Sequence, residues 1–347
     1  MKAFIMAAGE GTRLRPLTYI RPKPLVPLGN KPIISRIISL LKSGGITDII
    51  INLHYKGERI KEFIGKGEDL GVDIVYSEEE VLLGTAGGVK KMEEFLPDTF
   101  VVISGDIATD INIKEMVAFH KKKKALFTLA VSIVDDPTKY GVVSLNSDGK
   151  IQKFLEKPSR DRVFSPLVNA GIYIMEKEVL KDVPKDTFYD FGKQLLPILL
   201  ERNAPLYGYL SSAYWKDIGN ITDYKKVHSD IGDGKLQIPH HGELFTDNVR
   251  IGIGTYVDKA NFFGNVFIGN NVYIEDGVTI VGPTFIGDNA KIEKGARIEE
   301  SIIWEDVCIE EYSTVVKSVI GDNTRILKES YLVDGVFCRI PEGAIDS

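Results

Sequence analysis

The sequence predicts an α/β domain with a mixed, mainly parallel sheet, followed by a second domain built as a β-helix. Two observations carry this prediction: short apolar runs alternate with helical patterns up to about residue 235, and isoleucine then recurs at every sixth position from Ile268. A third observation, two glycines just after the first apolar run, predicts where ligands bind. We therefore expect two domains, residues 1–235 and residues 236–347.

The first domain begins with strand-like runs that each precede a helical segment. The runs KAFIMAA, DIIINL and TFVVIS follow this rule, and strand–helix alternation at this spacing predicts βαβ units. Between Ala125 and Met175 strands predominate, with a hairpin predicted at Asn146–Gly149. Helices are expected at DFGKQLLPILLERN and at ITDYKKVHSDIGDG.

The second domain shows a six-residue repeat, which is typical of hexapeptide β-helices. Its frame shifts after SIIWED. Because each coil buries its apolar face against the next, we expect a rigid stack that supports a homo-oligomer, a dimer or a tetramer. The repeating positions are Ile268, Ile274, Ile280, Ile286, Ile292 and Ile298.

Charge and cysteine content exclude several classes of protein. A net charge of -6 argues against a nucleic-acid partner. No stretch approaches the roughly 18 apolar residues that a membrane span requires. The two cysteines, Cys308 and Cys338, cannot form a disulfide framework, so we expect a reducing cytoplasm.

The loop GEGTRLRPLTYIRPKPLVP, residues 9–27, combines a glycine bend with concentrated positive charge. Gly9 and Gly11 predict a tight turn at the carboxyl edge of the sheet, where ligands bind in such folds. Backbone N–H groups there can hold phosphate oxygens, while Arg13 and Lys23 can stabilise charge during a transfer reaction. The loop therefore predicts a phosphate site; a plain basic surface loop is the alternative.

Two carboxylates are candidate metal ligands. Asp106 follows the run TFVVISG, and Asp217 lies in YWKDIG after another predicted strand. Two carboxylates together with nucleotide phosphates are a usual environment for Mg²⁺. Each aspartate could instead form a turn or a helix cap.

The motifs together resemble those of the sugar nucleotidyltransferases. GEGTRLRPLT followed by PKP matches the signature of this family, and further segments follow in the family's order. The resemblance covers nearly the whole chain and implies a Rossmann-like (GT-A-like) catalytic domain with a left-handed parallel β-helix. The further segments are LGTAGGV, ISGD, YGVV, FLEKP, NAGIY and WKDIG.

The resemblance implies a magnesium-dependent transfer of a nucleotidyl group to a sugar 1-phosphate, with release of pyrophosphate. It assigns catalysis to Arg13, Lys23 and Asp106, and Mg²⁺ binding to Asp106 and Asp217. It assigns the remaining contacts to two further groups. The nucleotide would contact Ala8, Gly9, Gly11, Thr12, Glu79, Gly84 and Thr85, and the sugar phosphate would contact Gly141, Glu156, Lys157 and Asn169.

The sequence constrains the identity of the nucleotide base and of the sugar less than it constrains the reaction. Glu79 aligns best with the family position that faces the base, although Glu78 and Glu80 flank it. A carboxylate only accepts hydrogen bonds, which suits the two adjacent donors of guanine and favours GTP. The resemblance then implies mannose 1-phosphate. Glucose-1-phosphate uridylyl or thymidylyl transfer is the alternative, and so is a non-catalytic subunit of the same architecture. Because the repeats after His241 lack histidine, a hexapeptide acyltransferase is not favoured.

Overall fold

The computed structural model describes residues 1–239 and 242–340. Contacts divide the chain into two compact units, and the division does not follow chain order. The first unit joins Met1–Glu10 to Ile37–Asp217, and the second joins Gly11–Arg36 to the segment that begins at Ile218. Most of the loop that opens the sequence therefore groups with the C-terminal part of the chain.

A nine-stranded sheet, with a small β-ribbon beside it, forms the framework of the first unit. Most of these strands pair in parallel, but β9 pairs antiparallel with β4, β6 and β7, and β7 pairs antiparallel with β8. Along the main path the order is β10-β6-β9-β4-β1-β2-β3, and this confirms a mixed, mainly parallel sheet. The strands are β1 Lys2–Met6, β2 Asp48–Leu53, β3 Asp73–Glu78, β4 Thr99–Ser104, β5 Ile107–Thr109, β6 Phe127–Ile133, β7 Gly141–Leu145, β8 Ile151–Glu156, β9 Leu167–Glu176, β10 Leu206–Leu210 and β11 Trp215–Asp217.

Seven α-helices accompany these strands along the described chain. Asn112 and Asn220 cap two of them, each accepting a hydrogen bond from the backbone N–H three residues on. The predicted helix at DFGKQLLPILLERN is present, but it opens with a π-helical turn at Phe191–Leu195. The helices are α1 Leu17–Ile20, α2 Ile33–Ser43, α3 Gly57–Ile64, α4 Gly84–Lys91, α5 Ile113–Lys123, α6 Leu196–Glu201 and α7 Ile221–Gly232.

The core of the first unit lies between the sheet and the helices that cover it. Phe4, Val102 and Phe127 are fully buried on the central strands, as the continuous apolar runs of a two-sided parallel sheet predict. The hairpin of β7 and β8 turns at Gly149, whose positive φ of 83° suits glycine. Within the described residues, no helix combines the length and apolar character needed to cross a membrane.

The second unit contains the predicted β-helix. After an antiparallel first strand, three parallel sheets run along it, and the repeating isoleucines fill its interior. The strands are β12 Glu243–Thr246, β13 Val249–Ile251, β14 Tyr256–Val257, β15 Asn261–Phe263, β16 Val266–Ile268, β17 Tyr273–Ile274, β18 Thr279–Val281, β19 Thr284–Ile286, β20 Lys291–Ile292, β21 Arg297–Glu299, β22 Ile302–Ile303, β23 Cys308–Ile309, β24 Thr314–Val316, β25 Val319–Ile320, β26 Arg325–Ile326, β27 Tyr331–Val333 and β28 Val336–Phe337.

The coils of the β-helix differ in length: paired strand positions are 17 residues apart in the first coil and 18 residues apart in the next. Asn270 contacts its counterpart Asp288 at a separation of 18 residues, whereas Asn289 contacts Asp306 at a separation of 17. The strand registers show the same change, from Val266 opposite Thr284 to Phe285 opposite Ile302. Coils of 18 residues are therefore followed by coils of 17 residues, which explains the shift of the isoleucine frame.

Candidate active site

The carboxyl ends of β1 and β4 lie side by side in the first unit. Met6 is opposite Ser104 in the parallel register, and the Gly105 N–H donates to the Met6 carbonyl at 2.8 Å. A Cβ on Gly105 would lie 2.7 Å from that carbonyl oxygen, so this close approach requires glycine. Ala8 and Gly9, which follow β1, and Asp106, which follows β4, consequently lie at the same edge of the sheet.

Asp217 is brought to Asp106 by the β-ribbon. In the antiparallel pairing of β5 and β11, Asp217 is opposite Ile107, the residue that follows Asp106. Both aspartates are half-buried, and both take part in interactions. Within the described ranges, no group of three or more His, Cys, Asp or Glu side chains has a metal-binding arrangement. The pairing of β5 with β11 nevertheless makes the two predicted metal ligands neighbours.

Glu79 is held by a buried network. Its Oε1 accepts from Asn52 Nδ2 at 2.6 Å and its Oε2 accepts from the Leu83 N–H at 2.9 Å. Asn52 Oδ1 in turn accepts from the Ala7 N–H at 2.7 Å. The Glu79 side chain is only 4% exposed, so its carboxylate joins the end of β1 to the loop before α4. These contacts hold the loop before α4 in place, and the expected role of Glu79 in facing the base stays a prediction.

Gly84 and Thr85 begin α4 against the segment Tyr189–Phe191. A Cβ on Gly84 would lie 2.8 Å from the Tyr189 carbonyl, and Gly84 has a φ of 73°, so the position requires glycine. Thr85 donates through both its N–H and its hydroxyl to Asp190 Oδ1 at 3.2 Å, and its hydroxyl accepts from the Phe191 N–H at 2.8 Å. The turn is therefore fixed by hydrogen bonds on both sides.

Gly141, Glu156 and Lys157 meet at one end of the β7–β8 hairpin. Gly141 is opposite Glu156, and a Cβ on Gly141 would lie 2.8 Å from Glu156 Oε2. Burial raises the pKa of Glu156, although the adjacent Lys157 charge opposes the rise. Gly192 packs against the same carboxylate. The predicted sugar residues Gly141, Glu156 and Lys157 are therefore together.

Asn169 lies at an irregularity of β9. The register against β6 shifts between Leu129 and Val131, and Asn169 Oδ1 accepts from the Gly171 N–H at 3.0 Å. Gly171, with a φ of 73°, approaches Ser104 on β4 so closely that a Cβ would lie 2.8 Å from the Ser104 hydroxyl. The bulge thus directs this part of β9 toward the strand that precedes Asp106.

The second unit holds the rest of the predicted residues. Gly11 has a φ of 68°, and a Cβ there would lie 2.9 Å from Cβ of Lys23. Lys23 is only 6% exposed, whereas Thr12 and Arg13 are exposed on a short 3₁₀ turn. Gly11 therefore allows the stem of Lys23 to pack against the backbone bend.

Asn52 and Asp190 are site residues that sequence reasoning missed. Asn52 follows three isoleucines on β2, and a polar residue inside such a run signals a buried hydrogen-bonding role. Asp190 directly precedes the π-helical turn at Phe191–Leu195, and its contact with Thr85 joins two loops that are far apart in the sequence. No short sequence motif predicts the contact between Asp190 and Thr85.

Comparisons with known proteins match both parts of the chain. A family model described as "Nucleotidyl transferase" matches residues 2–234, and one described as "GMPPB C-terminal domain" matches residues 246–338. A Synechocystis protein named UTP–glucose-1-phosphate uridylyltransferase is 36% identical over 99% of this chain and 90% of its own length. A Candida albicans mannose-1-phosphate guanyltransferase is 35% identical over 94% of this chain and 88% of its own.

A solved structure resembles part of the chain. HddC from Yersinia pseudotuberculosis, complexed with GMP-PN, is 28% identical with a TM-score of 0.56. The similarity covers 65% of this chain and 97% of HddC.

Proposed function

Because the chain belongs to the nucleotidyl transferase family, we propose that it transfers a guanylyl group from GTP to mannose 1-phosphate, giving GDP-mannose and pyrophosphate. The observation that carries the reaction class is the adjacent placement of Asp106 and Asp217, beside the strand end that leads to Gly9. Relatives named mannose-1-phosphate guanylyltransferase and the C-terminal domain match support the choice of guanine and mannose.

The transfer requires positioning and charge stabilisation more than proton transfer. A phosphate oxygen of the sugar 1-phosphate attacks the α-phosphorus, a new P–O bond forms, and the bond to the β-phosphate breaks so that pyrophosphate leaves. Since the nucleophile is already anionic, no general base is required. We assign stabilisation of the departing pyrophosphate to Arg13 and contact with the α-phosphate or sugar phosphate to Lys23.

The donor set fits a divalent cation. Carboxylate oxygens are the ligands that Mg²⁺ prefers, and Asp106 immediately precedes β5, next to Asp217 on the paired strand β11. When bound, Mg²⁺ supplies positive charge to the phosphate oxygens. Gly141, Glu156, Lys157 and Asn169 are proposed to orient the sugar phosphate, since the first three meet at one hairpin end and Asn169 lies on the bulge directed toward β4.

A second candidate function is uridylyl transfer to glucose 1-phosphate, which the Synechocystis relative favours. The contacts of Glu79 do not decide between the two, because its oxygens accept hydrogen bonds from Asn52 and Leu83. We further propose that the protein acts in the cytoplasm as a homo-oligomer assembled through its β-helix.

Pyrophosphate release tests these proposals. The purified chain is assayed with Mg²⁺ and each pairing of GTP, UTP, dTTP and ATP with mannose 1-phosphate or glucose 1-phosphate. A dominant signal from GTP with mannose 1-phosphate is expected. A dominant signal from UTP or dTTP with glucose 1-phosphate would keep the reaction class and replace the substrates. Silence in every pairing would favour a non-catalytic subunit.

A further inference from the structure

Arg21 connects the loop of residues 9–27, here called the signature loop, to the β-helix. Its Nη2 and Nη1 donate to the two carboxylate oxygens of Glu305 at 2.6 and 3.3 Å, and its Nε donates to Asp322 Oδ2. Glu305 and Asp322 lie in successive turns of the β-helix, after β22 and after β25. One guanidinium therefore bridges two coils, and it does so two residues before Lys23.

Arg21 and Asp322 are shielded from water, whereas Glu305 is partly exposed. The Arg21 side chain is 17% exposed and that of Asp322 is 6% exposed, while the guanidinium carbon lies 5.6 Å from the centre of the Trp304 ring. Burial lowers the pKa of Arg21, but the hydrogen bond to Glu305 and the charge of Asp322 more than offset this effect. Weak screening at such a site makes the contacts stronger than those of exposed ion pairs.

Further contacts hold the chain beyond Lys23 to the same unit. The Tyr224 hydroxyl donates to the Pro27 carbonyl at 2.7 Å and accepts from Trp304 Nε1 at 3.0 Å. Asn30 Nδ2 donates to the carbonyls of Phe267 and Ile286 at 3.1 and 3.0 Å. Lys23 thus lies between Arg21 and Pro27, both of which are fixed by the β-helix or by α7.

We infer that Arg21 is a positioning residue for nucleotidyl transfer, and that Glu305 and Asp322 of the β-helix hold it so that the loop presents Lys23 in its reactive position. This inference rests on the proposed function. An arginine can hold two carboxylates through its planar fork, which a lysine cannot reproduce. A small displacement of a group that contacts the reacting atoms costs rate even where the fold persists.

Steady-state kinetics of substituted chains test the inference. The variants are Arg21→Lys, Glu305→Gln, Asp322→Asn and the double variant R21K/D322N, with kcat and KM measured well below each unfolding midpoint. The matched control is Arg297→Lys, which alters the exposed Arg297–Glu299 pair of the same β-helix. Glu305→Gln is the mildest change, since Glu305 is more exposed than Asp322.

We expect kcat to fall by about 10-fold to 100-fold in Arg21→Lys and in Asp322→Asn, with a smaller effect on KM. The double variant should lose no more than the worse single variant, because both of its changes break the same set of contacts. Arg297→Lys should retain the original kcat. Unaltered kcat in the two single variants, or multiplicative losses in the double variant, would overturn the inference.

Amide hydrogen exchange separates failure of this inference from failure of the proposed function. If the original chain releases no pyrophosphate with any substrate pair, the proposed function fails, and exchange over residues 11–30 still reports on positioning. Faster exchange there in Asp322→Asn than in Arg297→Lys is expected. Equal exchange in the two variants would show that the ion pairs do not hold the loop.

Discussion

His228 Nε2 accepts a hydrogen bond from the backbone N–H of Gly29 at 3.2 Å, while His228 Nδ1 donates to the Tyr224 carbonyl at 3.0 Å. The ring must be neutral to do both, since Nε2 needs its lone pair. Complete burial lowers the pKa of His228 to about 4. The hydrogen bond from Gly29 therefore depends on an unprotonated imidazole.

This relationship predicts a loss of stability in acid. Between pH 6.5 and about 4 the unfolded chain binds a proton at His228 that the folded chain does not bind, so the free energy of unfolding falls as pH falls. The contribution lost between pH 7 and pH 5 is about 2 kcal/mol. Urea unfolding at both pH values should show a smaller decrease for His228→Gln than for the original chain. His54→Gln is the control, and an equal decrease in all three proteins would contradict the prediction.

Asp322 predicts the opposite trend. Burial raises its pKa to about 6 despite the charge of Arg21, so the folded chain retains a proton that the unfolded chain has released. The contribution of this group to stability therefore falls as pH rises from about 4 to about 6, by about 1 kcal/mol between pH 5 and pH 7. Asp322→Asn should remove this dependence from urea unfolding curves. Asp276→Asn, at an exposed turn of the same β-helix, should retain it.

Asp106→Asn tests the proposed metal ligand. Loss of one carboxylate should lower turnover by about 100-fold or more while the unfolding midpoint changes little, because Asp106 is half-buried at the sheet edge. Pyrophosphate release across a range of Mg²⁺ concentrations measures the effect. The control, Asp148→Asn, lies in the exposed hairpin turn. Turnover of Asp106→Asn near that of the control would remove Asp106 from the metal site.

Lys23→Met tests the proposed phosphate contact with little loss of packing. Methionine retains an apolar stem against Gly11 but carries no charge, so kcat should fall by about 10²-fold to 10³-fold, the usual loss for one transition-state donor. Lys31→Met, in the same segment of the chain, serves as the control. A decrease in thermal stability without a decrease in kcat would assign Lys23 to packing alone.

Glu79→Gln distinguishes an anchor from a base reader. An amide in place of the carboxylate directs an NH₂ group at one of the two donors, Asn52 or the Leu83 N–H, so stability should fall by about 1–3 kcal/mol. The ratio of kcat/KM for GTP over UTP should stay constant if Glu79 only anchors the loop. Glu80→Gln changes the neighbouring exposed carboxylate. A changed ratio in Glu79→Gln alone would restore Glu79 as the group that faces the base.

Local patterns were enough to predict the framework of the site. An apolar run that ends in small residues indicated the strand edge at β1, and ISGD indicated the neighbouring edge at β4, which the structure places side by side. The isoleucine repeat predicted the stacked coils because every coil buries the same position. The resemblance singled out Glu79 among three consecutive glutamates, and Glu79 is the buried one, but the sequence did not reveal what its carboxylate contacts. A shift of one residue reverses the direction of a side chain near a strand end.

Long-range pairings could not be predicted. Arg21 is one of several cations in the loop of residues 9–27, and its partners are 284 and 301 positions away. The change in coil length was visible only as a shifted frame, since nothing local indicates which coils have 17 residues and which have 18. Many pairs of oppositely charged residues lie in distant segments of the chain. One sequence alone therefore does not identify which pair is in contact.

The position of these partners along the chain also orders events during synthesis. Arg21 leaves the ribosome long before Asp322 exists, and a separation of 301 residues at a usual translation speed corresponds to roughly 15 to 60 s. During that interval the nascent signature loop lacks the coils that receive it. Its docking is therefore a late, post-elongation step, and premature termination before residue 322 yields chains in which Arg21 never contacts Asp322.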